Sequence, residues 1–372
     1  MILVMFLNVE TADASTAPSP RIGHRMIYDP VNKRVLLFGG SIWNQGVSRY
    51  TFYNDLWSYD VEEGTWTEIE TGSKPSGRFN HMMAYISETH QILLFGGFTS
   101  QDRIGDTWIY DIDGNTWTKV DIVEAPSPRS DAAFCYDPRY GVAILFDGYG
   151  LNDDHPNDTW VFNITSLLWT RMSPQASPKP QYGHYMVFDT VNQKTIMYGG
   201  HWSYGGGDHG YSDGVWTYDY PTDTWTKVDD AIALPSRYWH SLAYDSSRGK
   251  VVVFGGSGGA TDCLDDTWLY DYSINTWERV NAEVHPSGRE NSDMVYDPVT
   301  GRIILFGGFR GWGEDPLNDL WVLDVAQSTW TKVETVEEEP QSQETGSAIP
   351  GFALTALIIG TLATVLLQGR RR

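Results

Sequence analysis

The sequence predicts an all-β protein, a six-bladed β-propeller with four antiparallel strands in each blade, and three observations carry this prediction. An aromatic residue followed by a glycine pair recurs along the chain, with one altered copy, Asp147-Gly148. Each copy is followed by a tryptophan, and a second tryptophan always comes nine positions later. Successive copies begin 51 to 56 residues apart, a period that indicates a repeat architecture. The six tryptophan pairs are Trp57/Trp66, Trp108/Trp117, Trp160/Trp169, Trp216/Trp225, Trp268/Trp277 and Trp321/Trp330.

The first repeat unit shows how each unit makes four strands. Residues 24–29 alternate around apolar positions, and residues 34–38 are a β-branched and aromatic run that ends at the glycine pair. After a variable loop, residues 56–61 and 65–69 flank Glu62-Glu63-Gly64, which predicts two further strands joined by a tight hairpin. No helical stretch is predicted between the strands. Units of this kind suit propeller blades, which pack on one another around a central channel.

The glycine pairs and the tryptophans both have structural roles in this prediction. Glycine allows a positive φ and a close approach of neighbouring sheets. The paired tryptophan rings are expected to fill the space between sheets rather than to stack on ligands. Because unit one has its own first strand and unit six its own fourth, each blade is predicted to be contiguous in sequence. The ring then closes by packing of blade one on blade six.

These residues resemble the kelch repeat family. The matching elements in unit one are Arg21 to His24, the aromatic-Gly-Gly run, Asn54 to Trp57, Tyr59-Asp60 and Trp66. The resemblance covers residues 18–333 and implies a propeller domain. Unit three departs from the pattern at Asp147 and at Phe162-Asn163, so a differently built strand end is expected there.

The C-terminal part of the chain predicts attachment to a membrane. Residues 349–367 carry no charge and, as a helix, would span about 28 Å at 1.5 Å per residue, close to the hydrocarbon thickness of a bilayer. The basic tail, residues 368–372, predicts a cytoplasmic C-terminus and an outward-facing propeller. Residues 334–348 are acidic and poor in apolar side chains, which predicts a flexible stalk.

Both chain ends bear on localisation. Pro350, Gly351 and Phe352, together with the stalk, the apolar segment and the arginines, resemble an archaeal PGF-type sorting signal. That resemblance implies removal of the tail and attachment to lipid. Residues 1–17 are interpreted as the region of a truncated signal peptide, because an apolar run precedes Ala12-Asp13-Ala14 without a basic segment before it. The predicted location is the cell membrane or cell surface.

Composition narrows the class of partner. A formal net charge of −22 disfavours nucleic acid, which needs a basic face, and favours cationic partners or divalent ions. Cys135 and Cys263 fall in non-adjacent units, so no disulfide is expected between them. A monomeric propeller is expected.

Arginines at the start of the first strands are the first set of candidate binding residues. In kelch adaptor proteins arginines at this position rim the channel mouth, and some bind acidic peptides or carboxylates. The alternative is that each arginine pairs with a structural aspartate such as Asp60 or Asp111. Gln181 occupies the position in unit four, and histidines three residues later are expected to be structural. The candidate arginines are Arg21, Arg78, Arg129, Arg237 and Arg289.

The loops between second and third strands are the second candidate set, because variable loops on a rigid scaffold usually carry binding. Their aromatic side chains, interleaved with aspartates, suit a protein or sugar surface, whereas the alternative is packing of loop against loop. His201 and His209 with Asp208 are kept as an alternative to the prediction that no metal is bound. The candidate loop residues are Trp43, Tyr50, Trp202, Tyr204, Tyr211 and Trp312.

The predicted function is a non-enzymatic binding module without a cofactor, with protein and glycan partners on an equal footing. No nucleophile, oxyanion or paired-carboxylate pattern stands out in the sequence, so no catalytic residue is predicted. A carbohydrate-active enzyme of the galactose-oxidase-like or sugar-epimerase kelch type remains an alternative, as does a structural component of the cell envelope.

Overall fold

The computed structural model describes residues 17–44, 49–204, 208–212, 214–228, 234–259, 263–311 and 313–334. The predicted signal region, residues 1–17, falls almost wholly outside the described residues, as do the sorting motif, the membrane helix and the basic tail. Of the stalk, only residue 334 is described. Within the described residues no helix is long and apolar enough to cross a membrane.

The described chain forms six four-stranded antiparallel sheets, each with its strands in sequence order, and this confirms the predicted propeller. The strands of blades one to three are Arg25–Asp29, Arg34–Phe38, Leu56–Asp60 and Thr65–Glu68; Met82–Ile86, Gln91–Phe95, Thr107–Asp111 and Thr116–Val120; and Ala133–Asp137, Val142–Phe146, Thr159–Asn163 and Leu168–Arg171. Those of blades four to six are Tyr185–Asp189, Lys194–Tyr198, Val215–Asp219 and Thr224–Val228; Ser241–Asp245, Lys250–Phe254, Thr267–Asp271 and Thr276–Val280; and Asp293–Asp297, Arg302–Phe306, Leu320–Asp324 and Thr329–Val333.

The loops between second and third strands contain regular structure that the sequence analysis did not predict. Blade one adds a hairpin of Ser41–Asn44 with Arg49–Phe52, and blade four adds one of His201–Tyr204 with Asp208–Tyr211. Blade three has a short 3₁₀ turn, Leu151–Asp153, so the prediction of no helical stretch was wrong at this one place. These loops and the starts of the first strands share one side of the disc, the loop face. The tight turns within each blade lie on the other side, the turn face.

The ring closes through six backbone hydrogen bonds around the channel, one between each pair of neighbouring blades. The six residues, which we call the mouth ring, all have a positive φ between 51° and 66°. Gly23 N–H donates to the carbonyl of Asn291 at 2.9 Å, which joins blade one to blade six and confirms the predicted closure. The full ring is Gly23 to Asn291, Asn291 to Trp239, Trp239 to Gly183, Gly183 to Asp131, Asp131 to Asn80 and Asn80 to Gly23.

The glycine pairs make a second set of contacts between blades. The amide of Gly40 donates to the carbonyl of Arg78 in the next blade at 2.8 Å, and Gly308 closes the series onto Arg21 at 3.0 Å. A Cβ on Gly39 would lie 2.8 Å from that same Arg78 carbonyl oxygen, so only glycine fits without displacing the neighbouring blade. The predicted role of the pair, positive φ with close approach of sheets, is confirmed.

The second tryptophan of every pair packs against the aromatic residue that ends the second strand of the preceding blade. Trp117 lies 5.1 Å from Phe38, ring centre to ring centre, and Trp66 lies 5.2 Å from Phe306 across the closure. The indole N–H of Trp169 also donates to Thr107 Oγ1 of blade two at 3.0 Å. The rings therefore fill the space between sheets, as predicted. The remaining ring contacts are Trp169 with Phe95, Trp225 with Phe146, Trp277 with Tyr198 and Trp330 with Phe254.

Candidate binding site at the channel mouth

The loop-face end of the channel is covered by side chains of the mouth ring. Asp131 Oδ1 accepts hydrogen bonds from Asn80 Nδ2 at 2.6 Å and from Trp239 Nε1 at 2.8 Å, so three blades meet on one carboxylate. Asp131 Oδ2 accepts a third bond from Ser130 Oγ at 2.6 Å. Trp239 in blade five reaches blade three because Gly183 has no side chain between them; a Cβ there would lie 2.8 Å from Trp239 Cδ1.

Inside the channel, Arg25 runs across from blade one to blade four. Its Nε donates to the carbonyl of His81 at 3.0 Å and its Nη1 donates to Tyr185 Oη at 3.1 Å. The guanidinium carbon lies 4.9 Å from the centre of the Tyr185 ring, a cation–π distance. A cavity of about 110 Å³ is left beside this crossbar, lined from all six blades and including Asp293 and Met294. The channel is thus a filled core with a small polar void.

Three buried carboxylates near the mouth have no ion-pair partner among the described residues. Burial raises the pKa of Asp131, and it raises the pKa of Asp293 to about 6 although Arg25 opposes the shift. Burial also raises the pKa of Glu290, which is 3% exposed, to about 7, with the Ser257 hydroxyl opposing it. Desolvation disfavours the charged form of each group, so excess negative charge at this end of the channel costs free energy at neutral pH.

Aromatic side chains surround the mouth ring on the loop face. Phe79, Tyr182 and Tyr238 each lie one residue before a mouth-ring residue and form the inner rim. Tyr50 stacks on Phe79 with 6.1 Å between ring centres and 13° between planes. In blades three to five the rings of Tyr149, His155, Tyr182, His201, Tyr211, Tyr238 and Trp239 contact one another at 4.5–6.0 Å.

Arg103 connects the aromatic rings of blades one and two with those of blades three to five. Its guanidinium carbon lies 4.0 Å from the centre of the Tyr149 ring and 5.3 Å from that of Phe98, which itself packs on Phe79. An aromatic surface with one arginine set into it therefore runs from blade one to blade five.

The candidate loop residues take different positions on this surface. Tyr50 and Tyr211 are partly buried against rim residues, with Tyr211 5.8 Å from Tyr238. Trp43 is 41% exposed and packs on Tyr50 at 4.9 Å, whereas Trp202 lies under Lys179 at 4.0 Å. The structure thus brings two of the six to the rim and two to the outer loops. The side chain of Tyr204 and the whole of Trp312 lie outside the described residues. Their roles in ligand binding stay predictions.

The five candidate arginines are completely buried, at 0% exposure, and each is held by its own blade. Arg78 donates to Asp106 through two bonds of 2.7 and 3.1 Å and to the carbonyl of Gly96 at 2.9 Å. Asp106 in turn accepts from the indole N–H of Trp108 at 2.7 Å. We call this unit the arginine clamp. The other four clamps are Arg21–Asp55–Trp57, Arg129–Asp158–Trp160, Arg237–Asp266–Trp268 and Arg289–Asp319–Trp321.

The clamp corrects the partners that the sequence analysis named. Asp60 instead accepts from the amides of Glu62 and Glu63 at 2.9 Å, and Asp111 accepts from the amide of Gly114, so both shape hairpin turns on the turn face. The aspartates that pair with the arginines stand two residues before the first tryptophan. Ligand binding by the arginines stays a prediction, and it requires a ligand to reach guanidinium groups that are already hydrogen-bonded and buried.

Blade four lacks both charged members of the clamp. Gln181 replaces the arginine, and Gly214 stands two residues before Trp216 where the other blades have aspartate. Because the two charges are lost together, an unpaired buried charge is avoided, as expected of a structural ion pair. This joint loss is a sequence signal that identifies the true aspartate partner.

The four candidate structural histidines are buried beside aromatic rings. His24, His81, His184 and His240 each lie edge-on to the aromatic residue of the preceding blade, with ring centres 5.5 Å apart. Among the described residues no group of three or more His, Cys, Asp or Glu side chains is placed to hold an ion. The alternative metal set stays a prediction, because the side chain of Asp208 lies outside the described residues. His201 and His209 stack at 5.7 Å, and burial lowers the pKa of His201 to about 4.

The residues that cover and fill the channel were not predicted from the sequence. Five of them are Arg25, Asn80, Asp131, Trp239 and Asn291. The available signal was position: the mouth ring stands two residues after each arginine-clamp position, where four different residue types occur in the six blades. A position that varies within an otherwise regular repeat marks the surface on which one propeller differs from another.

Comparisons with known proteins agree with the repeat structure. A family model described as the KLHDC2/KLHL20/DRC7 Kelch-repeats domain matches residues 7–200 and 190–361. Similar proteins include the alpha chain of the flagellar outer-arm dynein of Chlamydomonas reinhardtii, 28% identical over 83% of this chain and 7% of that protein. An F-box/kelch-repeat protein of Arabidopsis thaliana is 27% identical over 70% of this chain and 56% of its own length.

A third relative is covered more fully. Kelch domain-containing protein 2 of Bos taurus is 26% identical over 78% of this chain and 76% of its own length. The first two relatives are longer than the matched region, so the shared part is the repeat domain.

Proposed function

Because the chain belongs to the family of the KLHDC2/KLHL20/DRC7 Kelch-repeats domain, whose propellers typically bind proteins, we propose that it binds a partner protein at its loop face. The observation that carries this proposal is the aromatic surface around the mouth ring. Tyrosine and tryptophan supply large contact area and often dominate the binding energy of protein interfaces. Blades one to five contribute rings to this surface, with Arg103 between its two halves.

The interior of the propeller supports a surface partner rather than a buried small ligand. Pockets for drug-sized ligands have volumes of about 300–1,000 Å³, well above the roughly 110 Å³ beside Arg25. The arginine clamps are occupied by their own aspartates. The partner therefore meets side chains that stand on the loop face, and the scaffold beneath them stays unchanged.

Truncating two rim tyrosines is expected to weaken binding. In the double variant Tyr50→Ala/Tyr211→Ala, the affinity should fall by at least about tenfold, because each ring removes aromatic contact area from the centre of the interface. The measurement is binding of the full-length protein to isolated envelopes of the source cells. Tyr140→Ala is the matched control: this tyrosine is 44% exposed but lies in a turn of blade three on the turn face, and its loss should leave affinity unchanged.

Chemical treatment of the envelopes identifies the class of partner. For a protein partner, binding disappears after protease digestion and survives periodate oxidation of glycans. Binding that survives protease and is lost on oxidation would contradict the proposal and indicate a sugar ligand. A loss of affinity in Tyr140→Ala equal to that of the double variant would place the interface on the turn face.

We further propose that the propeller is displayed on the outside of the cell. Support comes from the uncharged segment 349–367, the acidic segment before it and the terminal arginines. Intact-mass spectrometry of the mature protein from its native membrane tests this proposal. Processing at the Pro350-Gly351-Phe352 motif should give a mass that lacks the apolar segment together with an attached lipid. An intact tail in the membrane fraction would indicate an ordinary membrane anchor, and an intact tail in the soluble fraction would contradict the proposal.

A further inference from the structure

Two buried amide oxygens in the mouth ring have no hydrogen-bond donor among the described residues. Asn80 Oδ1 and Asn291 Oδ1 are unpartnered, although both residues are only 3% exposed. The orientation of the Asn80 amide is determined by its Nδ2, which donates to Asp131, so its oxygen is an acceptor only. That oxygen lies over Gly23, so close that a Cβ on Gly23 would collide with it. It therefore projects over the mouth ring. A buried acceptor left without a donor costs about 1–3 kcal/mol, so the folded protein benefits from a donor that arrives here.

Negative charge lies next to these acceptors. Asp131 joins Asn80, and Glu290 directly precedes Asn291, while neither carboxylate is in an ion pair among the described residues. The nearest arginines act at a distance: Arg25 is bound to the His81 carbonyl and Tyr185 within the channel, and Arg103 lies on aromatic faces. The mouth therefore offers acceptors and negative charge, whereas the donors of the arginine clamps are already used.

Aromatic rings also lie beside the two amide oxygens of the mouth ring and the carboxylates. Trp239 lies 4.5 Å from Tyr238 and 5.9 Å from Tyr182, ring centre to ring centre, and its indole N–H is held by Asp131. Indole and phenol faces attract cations within about 6 Å, most strongly when water is displaced. Unpartnered oxygens, excess negative charge and aromatic faces all favour the same kind of ligand group.

We propose that the mouth ring receives a cationic side chain, arginine or lysine, of the partner protein. The proposal rests on the proposed function and adds the chemistry of the contact. The cation donates hydrogen bonds to Asn80 Oδ1 and Asn291 Oδ1, is balanced by Asp131 and Glu290, and lies against the rings of Trp239 and Tyr182. An anion is disfavoured, because the mouth presents acceptors rather than donors to it. A bare metal ion is disfavoured, because no group of three ionisable ligands is placed around it within the described residues.

Model compounds test this contact without knowledge of the partner. The probes are N-acetyl-arginine methylamide and N-acetyl-lysine methylamide, with N-acetyl-citrulline methylamide as a neutral analogue of nearly the same shape as the arginine compound. The readout is the indole ¹⁵N–¹H resonance of Trp239 in the full-length protein, assigned with the variant Trp239→Phe. Titration with at least one cationic compound should shift this resonance with a dissociation constant on the order of 1 mM, and citrulline should bind at least about tenfold more weakly.

Two variants show whether the carboxylates are responsible. Asp131→Asn and, separately, Glu290→Gln should each weaken binding of the cationic probe by about threefold or more, because each removes one negative charge from the mouth. Glu290→Gln leaves the Asn80–Asp131–Trp239 contacts in place, so it remains informative if Asp131→Asn disturbs folding. Asp113→Asn is the control, since the Asp113 side chain is 74% exposed on the turn face, and it should bind the probe as the wild type does.

Three results would overturn the proposal: equal binding of citrulline and arginine compounds, no shift of the Trp239 resonance with either cationic probe, or unchanged affinity in both carboxylate variants. The second result would indicate that water alone satisfies the two amide oxygens. Envelope binding separates this proposal from the proposed function. If Tyr50→Ala/Tyr211→Ala abolishes envelope binding while the cationic probes fail, the partner binds at the loop face without a cation at the mouth. If the probes bind and the tyrosine variant is normal, the proposed protein interface is wrong.

Discussion

Replacing Arg78 with alanine is expected to lower the free energy of unfolding by about 3–5 kcal/mol, because it leaves Asp106 in the protein without its counter-charge. Arg78 is completely buried and supplies two bonds to Asp106 and one to the Gly96 carbonyl. All of these acceptors lose a donor in the variant. Urea unfolding, followed by tryptophan fluorescence at pH 7, measures the change.

Blade four supplies the matched control for this experiment. It carries Gln181 and Gly214 in place of the two charged residues, so Arg78→Gln/Asp106→Gly reproduces in blade two a combination that already exists in this protein. The double variant should be more stable than Arg78→Gln alone, since it removes the stranded carboxylate together with the guanidinium group. Arg310→Ala, at an exposed arginine of the loop face, should change stability by less than about 0.5 kcal/mol.

The same variant decides between the two interpretations of the arginines. A ligand-binding arginine would weaken binding when replaced and leave the melting temperature unchanged. If Arg78→Ala and Arg237→Ala retain full stability, the clamp is not structural and the sequence-based prediction of a binding role regains support. A matching loss of stability in both variants would show that they stabilise the blades.

Glu290 is expected to contribute less to the stability of the protein as pH rises from about 4.5 to 8. Burial raises the pKa of Glu290 from 4.5 to about 7, and the only side chain that opposes the shift is Ser257. At Glu290 the folded state therefore binds more protons than the unfolded state within this window, and the contribution of this residue to stability decreases with rising pH. A shift of this size corresponds to about 3 kcal/mol between the two ends of the window.

Glu290→Gln tests the assignment, because glutamine does not titrate. Between pH 4.5 and 8 the change in the free energy of unfolding should be about 3 kcal/mol more favourable to the variant than to the wild type. Glu63→Gln, at an exposed glutamate of a hairpin, should keep the wild-type slope. Equal slopes in wild type and Glu290→Gln would contradict the raised pKa. Asp147 and Asp293, whose pKa values burial raises to about 8 and about 6, add to the slope in both proteins.

The aspartates of the arginine clamps contribute to the pH dependence of stability with the opposite sign. Burial tends to raise the pKa of Asp106, but the hydrogen bonds and charge of Arg78 more than offset this and lower it below its usual 3.8. A carboxylate of this kind contributes stability above its unfolded pKa and loses it as pH falls through the folded one. The same holds for Asp158, Asp266 and Asp319. Burial also lowers the pKa of five histidines below 6.5, so they add stability as pH rises toward 6.5 and oppose the contribution of Glu290 over that range; they are His24, His81, His184, His201 and His240.

The sequence by itself determined the six blades, the positions of their strands to within one residue in blade one, and the closure of blade one on blade six. These features depend on repeated residues, such as the tryptophans and the glycine pairs. Each copy of the repeat makes the same contact, so six copies of one pattern indicate it. Only part of the arginine clamp could be predicted from the sequence. The arginines were identified, but their partners were assigned to Asp60 and Asp111 instead of Asp55 and Asp106. Several aspartate positions recur in most of the blades, and a repeat alone does not say which of them faces the arginine.

Only the tertiary structure decided what lies at the channel mouth. Trp239 reaches Asp131 from 108 residues away, and Arg25 reaches Tyr185 from 160 residues away, each across a blade or the whole channel. Both contacts join positions at which the residue differs from blade to blade, so no periodicity in the sequence indicates them. They exist because closing the ring brings six otherwise unrelated side chains within a few ångströms of one axis. The repeat therefore specifies the scaffold, and the closed ring specifies the site.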